Sequence, residues 1–177
     1  MIIKKNNNIS LDKFIDKTLY DKSKGYYSNK NPVGHQGDFV TSPNISVMFS
    51  EMIAIWLISF WENLGCPKKI NIIELGAGSG EMMHQILKTI NNFKKFRSSA
   101  KFYIHEKSQY LKKIQKNKNQ KYDVKWTDNL NKISTYPSIF IANEFFDALP
   151  IKQFIKKKMN GLKDLLVQKT KNFNLLM

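Results

Sequence analysis

The chain has one cysteine, Cys66, and one arginine, Arg97, in 177 residues. A single cysteine excludes an internal disulfide framework and a thiolate metal site, which fits a reducing compartment. The scarcity of arginine bears on the net charge of +15. Nucleic-acid readers lean on the bidentate fork of Arg for phosphates and base edges. Here the positive charge is almost all lysine, dispersed among asparagines, so a diffuse solvated basic face is expected rather than a specific nucleic-acid surface. Long apolar runs are missing too. The greasiest stretch, Met52–Trp61, is bounded by Glu51 and Glu62 and is about half as long as a membrane span; it reads as a core helix. The start, Met1-Ile2-Ile3-Lys4-Lys5, lacks the apolar segment of a secretory signal, and none is expected. His35, His84 and His105 have no metal spacing. No Ser-His-Asp or Cys-His arrangement can be assembled, and Cys66 sits in a Gly-Cys-Pro turn.

What is present is a strand, a turn and a helix in immediate succession. Residues 70–80 read Ile-Asn-Ile-Ile-Glu-Leu-Gly-Ala-Gly-Ser-Gly, and Glu81-Met82-Met83-His84-Gln85-Ile86-Leu87 then opens a helical pattern. Gly76, Gly78 and Gly80 allow a tight turn and close approach of backbone to a ligand. The helix after Gly80 points its N–H groups into the same space. Dinucleotide binders space their glycines G-x-G-x-x-G to seat a pyrophosphate. Here the spacing is G-x-G-x-G with Glu74 just before it. A carboxylate there would repel a pyrophosphate and suit a cationic amino-acid group, which points to S-adenosylmethionine. The spacing disfavours an NAD-dependent oxidoreductase.

The rest of the chain gives this unit its context. A hydrophobic content of 42% and a length of 177 residues suit a domain of ordinary size. Ser10 caps a helix to about Tyr20, with Leu11, Phe14, Ile15 and Leu19 on one face. Residues 25–43, rich in Gly, aromatics and hydroxyls, show no period and read as a long functional loop. A helix follows from about Ser46 to Leu64. Strands are expected at Ile70–Leu75, Lys101–Glu106, Tyr122–Trp126 and Ser138–Asn143, with helices at about Gly80–Phe93 and Ser108–Asn117. This alternation predicts an α/β fold with a Rossmann-like parallel sheet. Ile151–Ile155 and Leu165–Lys169 could form a hairpin around Asn160-Gly161. The expected organisation is residues 1–66 as N-terminal helices and a covering loop, and residues 67–177 as the first part of the Rossmann-like domain. Only four core strands are visible, so the sheet is expected to be incomplete and the chain a truncated product.

Several polar residues fall where chemistry is expected. Glu106 ends the second strand and is placed to accept hydrogen bonds from both ribose hydroxyls of a nucleoside. Asn143 and Glu144 end the fourth strand on the same rim, and Asp147 follows as a second carboxylate. An amide and a carboxylate can steer the lone pair of an N–H nucleophile, and two acids suit a guanidinium. The same three residues would also serve as a turn and cap. Asp38, Thr41 and Ser42 lie in the Gly-rich loop, which could fold over the cofactor or cap the next helix.

Gly25-Tyr26-Tyr27, Gly37-Asp38-Phe39-Val40-Thr41-Ser42-Pro43, Glu74-Leu75-Gly76-x-Gly78-x-Gly80 and Asn143-Glu144-Phe145-Phe146-Asp147-Ala148-Leu149-Pro150 occur in this order. Together they resemble the MidA-like family of class I methyltransferases, over nearly the whole chain from about Ser10 to at least Phe154. The glycine turn alone is widely shared; the second and fourth strings are distinctive. The resemblance implies a class I methyltransferase fold, S-adenosylmethionine as cofactor and a protein substrate. In the mitochondrial members that substrate is an arginine of a respiratory complex I subunit. It also implies cofactor contacts on Gly76, Gly78, Gly80 and Glu106, with Asp38, Thr41 and Ser42 nearby. A homo-oligomer is left open, and the compartment would be the cytoplasm in a bacterium or the mitochondrial matrix in a eukaryote. Three features depart from the family: Ala77 and Ser79 stand inside the glycine turn, Asn44 replaces an acid after Ser-Pro, and family members are roughly twice as long. The reading is an S-adenosylmethionine-dependent methyltransferase acting on a protein nitrogen. Its rivals are a methyltransferase for RNA or a small amine, and a non-catalytic assembly or interaction protein on a truncated methyltransferase fold.

Overall fold

A computed structural model describes residues 8–29, 37–157, 161–164, 166–168 and 174–176. The short strand β1 (Asn8–Ser10) runs directly into helix α1 (Leu11–Tyr20), and α2 (Tyr26–Asn29) follows. After α3 (Ser42–Ile45) and α4 (Val47–Asn63) come β2 (Ile70–Leu75), α5 (Glu81–Ile90), α6 (Lys94–Ser99), β3 (Ala100–His105), α7 (Gln109–Lys118), β4 (Val124–Thr127) and β5 (Ser138–Ala142). Single turns of 3₁₀ helix occupy Leu130–Lys132 and Phe146–Ala148. The described chain ends in β6 (Phe154–Lys157), β7 (Gly161–Asp164), β8 (Leu166–Gln168) and β9 (Asn174–Leu176).

The centre is a parallel sheet in the order β4-β3-β2-β5, as the strand–helix alternation predicts. Ile73 of β2 pairs with Tyr103 of β3 and with Phe140 of β5, so the strand that feeds the glycine turn is one of the two inner strands. A parallel strand covered on both faces reads as an unbroken apolar run. That is why Ile70, Ile72 and Ile73 are wholly buried. Asn71 is buried among them because its amide donates to the Ser134 carbonyl at 2.8 Å and to the Ser138 hydroxyl at 3.1 Å, meeting the demand that buried polar groups be paired.

Helix α5 packs Met82, Met83, Ile86, Leu87 and Ile90 onto the sheet, an apolar stripe at helical spacing. Helix α4 adds Ala54, Leu57, Ile58 and Trp61 to the same core, and the Trp61 indole donates to the Pro67 carbonyl at 3.0 Å. Only one face of α4 is buried. Met48, Met52, Ile55, Trp56 and Phe60 are exposed, so the expected core helix is a surface helix with apolar residues on both sides. Among the described residues no helix is long and apolar enough to cross a membrane.

Two expectations need correction. The hairpin forms, but Phe154 pairs with Asp164 and Lys157 with Gly161, so Gly161 begins the second strand rather than ending the turn. Leu166–Gln168, expected as its second arm, instead pairs antiparallel with β1 at the other end of the chain and with β9. The region 25–43 is less of a plain loop than expected: of its described parts, residues 25–29 and 37–43, the first holds α2 and the second runs into the start of α3. Residues 30–36 lie outside the described residues.

Candidate active site

The C-terminal ends of β2, β3 and β5 open into one cleft of about 230 Å³. The crevice outside the carboxyl ends of strands is where open α/β sheets bind ligands. Its other wall comes from the N-terminal segment, through Tyr20, Tyr27, Phe39, Thr41, Pro43 and Asn44.

The floor is the glycine turn. Gly76, Gly78 and Gly80 all have positive φ, at 66°, 51° and 78°. Side chains rarely adopt that conformation. A Cβ on Gly76 would also lie 2.5 Å from the Phe145 ring. Gly80 caps α5, and a Cβ there would press on Asn119 and Gln115 of the α7 end at 3.1–3.2 Å. These two buried amides clamp the turn. Gln115 Nε2 donates to the Gly78 carbonyl and to Glu106 Oε2, both at 3.0 Å, while its Oε1 accepts from the Trp126 indole at 2.9 Å. Asn119 donates to the Gly80 carbonyl at 3.3 Å.

Two acids sit against this floor. Glu106 is buried; its Oε1 accepts from the Ser108 backbone N–H at 2.8 Å and its Oε2 from Gln115. A carboxylate offers about four lone-pair sites, so two acceptor positions remain toward the cleft that Glu106 lines. Glu74 is 2% exposed, also lines the cleft, and its Oε2 has no hydrogen-bond partner among the described residues. Burial, and then the neighbouring Glu106 charge, push its pKa up to about 8.

On the β5 rim the chain turns sharply. Glu144 has φ of 49°, uncommon outside glycine, and the 3₁₀ turn Phe146–Ala148 follows. This turn presents Asn143, Glu144 and Asp147 to the cleft, so these residues both form the turn and line the cavity. The N-terminal segment is latched to both rims. The Tyr20 hydroxyl donates to the Ala148 carbonyl at 3.0 Å, and the Ser108 hydroxyl donates to the Tyr27 carbonyl at 2.7 Å. Lys107 pairs with Asp16 at 3.0 Å and lies over the Tyr20 ring. Burial raises the Tyr20 hydroxyl to about 12, with nearby tyrosine and acid groups adding to the shift.

Of the residues singled out from sequence, Thr41, Glu74, Gly76, Gly78, Glu106, Asn143, Glu144 and Asp147 line this one cleft. Gly80, Asp38 and Ser42 do not. Gly80 serves as the helix cap behind the turn. Asp38 is exposed and accepts a hydrogen bond from the Tyr26 hydroxyl. Ser42 is the first residue of α3, its carbonyl accepting from Ser46 N–H at 3.1 Å. Thr41 and Pro43 are the buried members of that string, and the Thr41 hydroxyl accepts from the Asn44 amide at 2.8 Å. Sequence reasoning missed Tyr20, Tyr27, Ser79 and Gln115. Tyr27 lies within the Gly25-Tyr26-Tyr27 string, which was the one available signal; Gln115 has none, since its partners come from three separate elements.

Comparison with known proteins places this geometry. The model of a family of S-adenosyl-L-methionine-dependent methyltransferases matches residues 52–175. A mitochondrial protein arginine methyltransferase NDUFAF7 from Xenopus tropicalis is 32% identical over 189 aligned residues, covering 93% of this chain and 44% of the relative. The Homo sapiens protein of the same name is 29% identical, with 93% and 43% covered. The chain thus spans less than half the length of these relatives. A crystal structure of a Burkholderia thailandensis protein bound to S-adenosyl-homocysteine superposes with a TM-score of 0.77 at 22% identity, covering 96% of this chain and 45% of that one.

Proposed function

The chain belongs to this family of S-adenosyl-L-methionine-dependent methyltransferases, and from that membership we propose that its cleft binds S-adenosylmethionine and directs methyl transfer to a protein nitrogen, with arginine the acceptor. The observation that carries the proposal is the buried Glu74, whose Oε2 lacks a partner among the described residues, beside a glycine turn that leaves no Cβ in the way. An orphaned carboxylate oxygen in a glycine cradle fits a cationic amino-acid group. Glu106, held from behind by Ser108 and Gln115, fits two ribose hydroxyls. Gly76 and Gly78 form the cradle, Gly80 caps the helix behind it, and Thr41 closes it from above. Asp38 and Ser42 would brace the covering segment rather than touch the cofactor. We read residues 1–66 as the part that covers the cofactor and residues 67–177 as the part that seats it.

When bound, the cofactor supplies a methyl group on a positively charged sulfur, open to in-line displacement. The chain contributes chiefly orientation. Asn143 and Glu144 would accept hydrogen bonds from the acceptor nitrogen and aim its lone pair, while Asp147 would complete a pair of acids matched to a guanidinium. The arginine assignment rests on the names of the NDUFAF7 relatives. A respiratory complex I subunit as substrate, and self-association, are the finer proposals. So is the compartment: the mitochondrial matrix for a eukaryotic source, the cytoplasm for a bacterial one.

The exposed apolar residues of α4 favour a second reading, an interaction protein without turnover. Transfer of labelled methyl from S-adenosylmethionine to arginine-containing proteins, located by mass spectrometry, tests the first. Cofactor binding without transfer to any protein or peptide would favour the second.

A further inference from the structure

The cleft is lined by aromatic rings as well as by acids, and Tyr27 has no part in seating the cofactor. Tyr27 lines the cleft together with Asn143, Glu144 and Asp147. Its position is fixed from three sides. The Ser108 hydroxyl holds its carbonyl at 2.7 Å, the Tyr20 ring stacks on it at 5.8 Å and 25°, and the Tyr26 ring meets it edge-on at 5.2 Å. Tyr20 is itself tied to Ala148 of the acid-bearing turn, so the two walls are linked. The Tyr27 hydroxyl takes no hydrogen bond among the described residues, and neither do the Glu144 and Asp147 carboxylates. Three polar groups of matched chemistry therefore converge on one space without consuming one another.

We propose that the Tyr27 hydroxyl is a third contact of the methyl-acceptor subsite, accepting an N–H of a cationic nitrogen acceptor that Glu144 and Asp147 hold from the other side. This inference rests on the methyltransferase reading and adds a residue to it. A guanidinium has five donors in a planar fork, and two carboxylates each gripping it bidentately take up four of them. A phenol opposite them fills the remaining direction. Burial and the nearby Asp147 and Glu144 charges raise the Tyr27 pKa, so the hydroxyl stays neutral through the working range and retains both lone pairs. The wall is rigid before ligand arrives, which lowers the ordering cost on binding.

The test is equilibrium binding of glycine-flanked arginine, lysine and glutamine peptides to the protein saturated with S-adenosylhomocysteine. The unaltered chain should bind the arginine peptide. Tyr27→Phe should bind it about tenfold more weakly, the scale of one lost hydrogen bond to a charged group. S-adenosylhomocysteine affinity should change less than about twofold, which also shows that the fold is intact. Tyr27→Phe binding the peptide as well as the parent, with only Tyr27→Ala impaired, would overturn the proposal and leave a packing role for the ring. A parent that prefers the lysine peptide, with Tyr27→Phe weakening that peptide, would overturn the arginine assignment and uphold the placement of Tyr27, whereas preference for the neutral glutamine peptide would overturn the cationic subsite itself. A parent that binds S-adenosylhomocysteine but none of the peptides would overturn the inference while leaving the cofactor reading in place.

Discussion

Glu74→Gln isolates the most unusual group in the molecule. The Glu74 carboxyl is buried, its Oε2 is unpartnered among the described residues, and its pKa is pushed up to about 8 from an ordinary 4.5, first because of burial and second because of Glu106. The folded protein therefore keeps a proton that the unfolded chain has lost between those two pH values. Stability falls as pH rises through this window, because the folded state there binds more protons than the unfolded one. At 1.36 kcal/mol per unit the shift amounts to at most about 5 kcal/mol. Whole domains are stable by about 5–15 kcal/mol, so even a fraction of this is measurable. Glutamine keeps the shape and removes the titration. Urea unfolding from pH 5 to pH 9 should show the parent losing stability relative to Glu74→Gln, with the gap widening up to about pH 8. A cationic ligand group beside Glu74 favours the ionised form, so cofactor binding near pH 7 should release a proton from the parent and none from Glu74→Gln. Titration calorimetry in buffers of different ionisation enthalpy reads that proton directly. Parallel stability profiles, together with equal proton release, would refute the reasoning.

Three other substitutions probe the rest of the cleft. Glu106→Ala removes the acceptor assigned to the ribose and strands the Gln115 amide and Ser108 N–H behind it; cofactor affinity should fall at least about tenfold, and unchanged affinity would remove Glu106 from the site. Gly76→Ala puts a Cβ 2.5 Å from the Phe145 ring at φ of 66°; it should destabilise the fold by about 1–3 kcal/mol in thermal unfolding and weaken cofactor binding. Glu144→Gln should bind S-adenosylmethionine as the parent does and lose most methyl transfer, and retained turnover would dismiss Glu144 from the chemistry.

Local patterns carried much of this molecule. The run Ile70–Leu75 ends at a glycine turn, and the strand occupies those same six residues. Helix α5 is shorter than expected, ending at Ile90, because a turn at Asn91-Asn92 precedes a separate helix α6. The parallel order was legible because glycine turns and strand–helix alternation are local signals. The C-terminal pairing was not. Leu166–Gln168 had the pattern of a hairpin arm, yet β1, more than a hundred residues upstream, takes that edge, and no local period encodes such a partner. The site divides along the same line. Glu74, Glu106 and Asn143–Asp147 sit at strand ends beside recognisable strings. Tyr20, Tyr27 and Gln115 act through contacts made by other elements, so only the assembled fold shows them. Asp38 and Ser42 belong to a distinctive string whose buried, cleft-lining members are Thr41 and Pro43, a distinction set by the turn into α3 rather than by residue type.

Whether this cleft holds the cofactor is read most directly by calorimetric titration of the folded chain with S-adenosylmethionine and S-adenosylhomocysteine. Both should bind at one site per chain, and Glu106→Ala should weaken both. A chain shown to be folded by circular dichroism that binds neither compound would contradict the cofactor assignment.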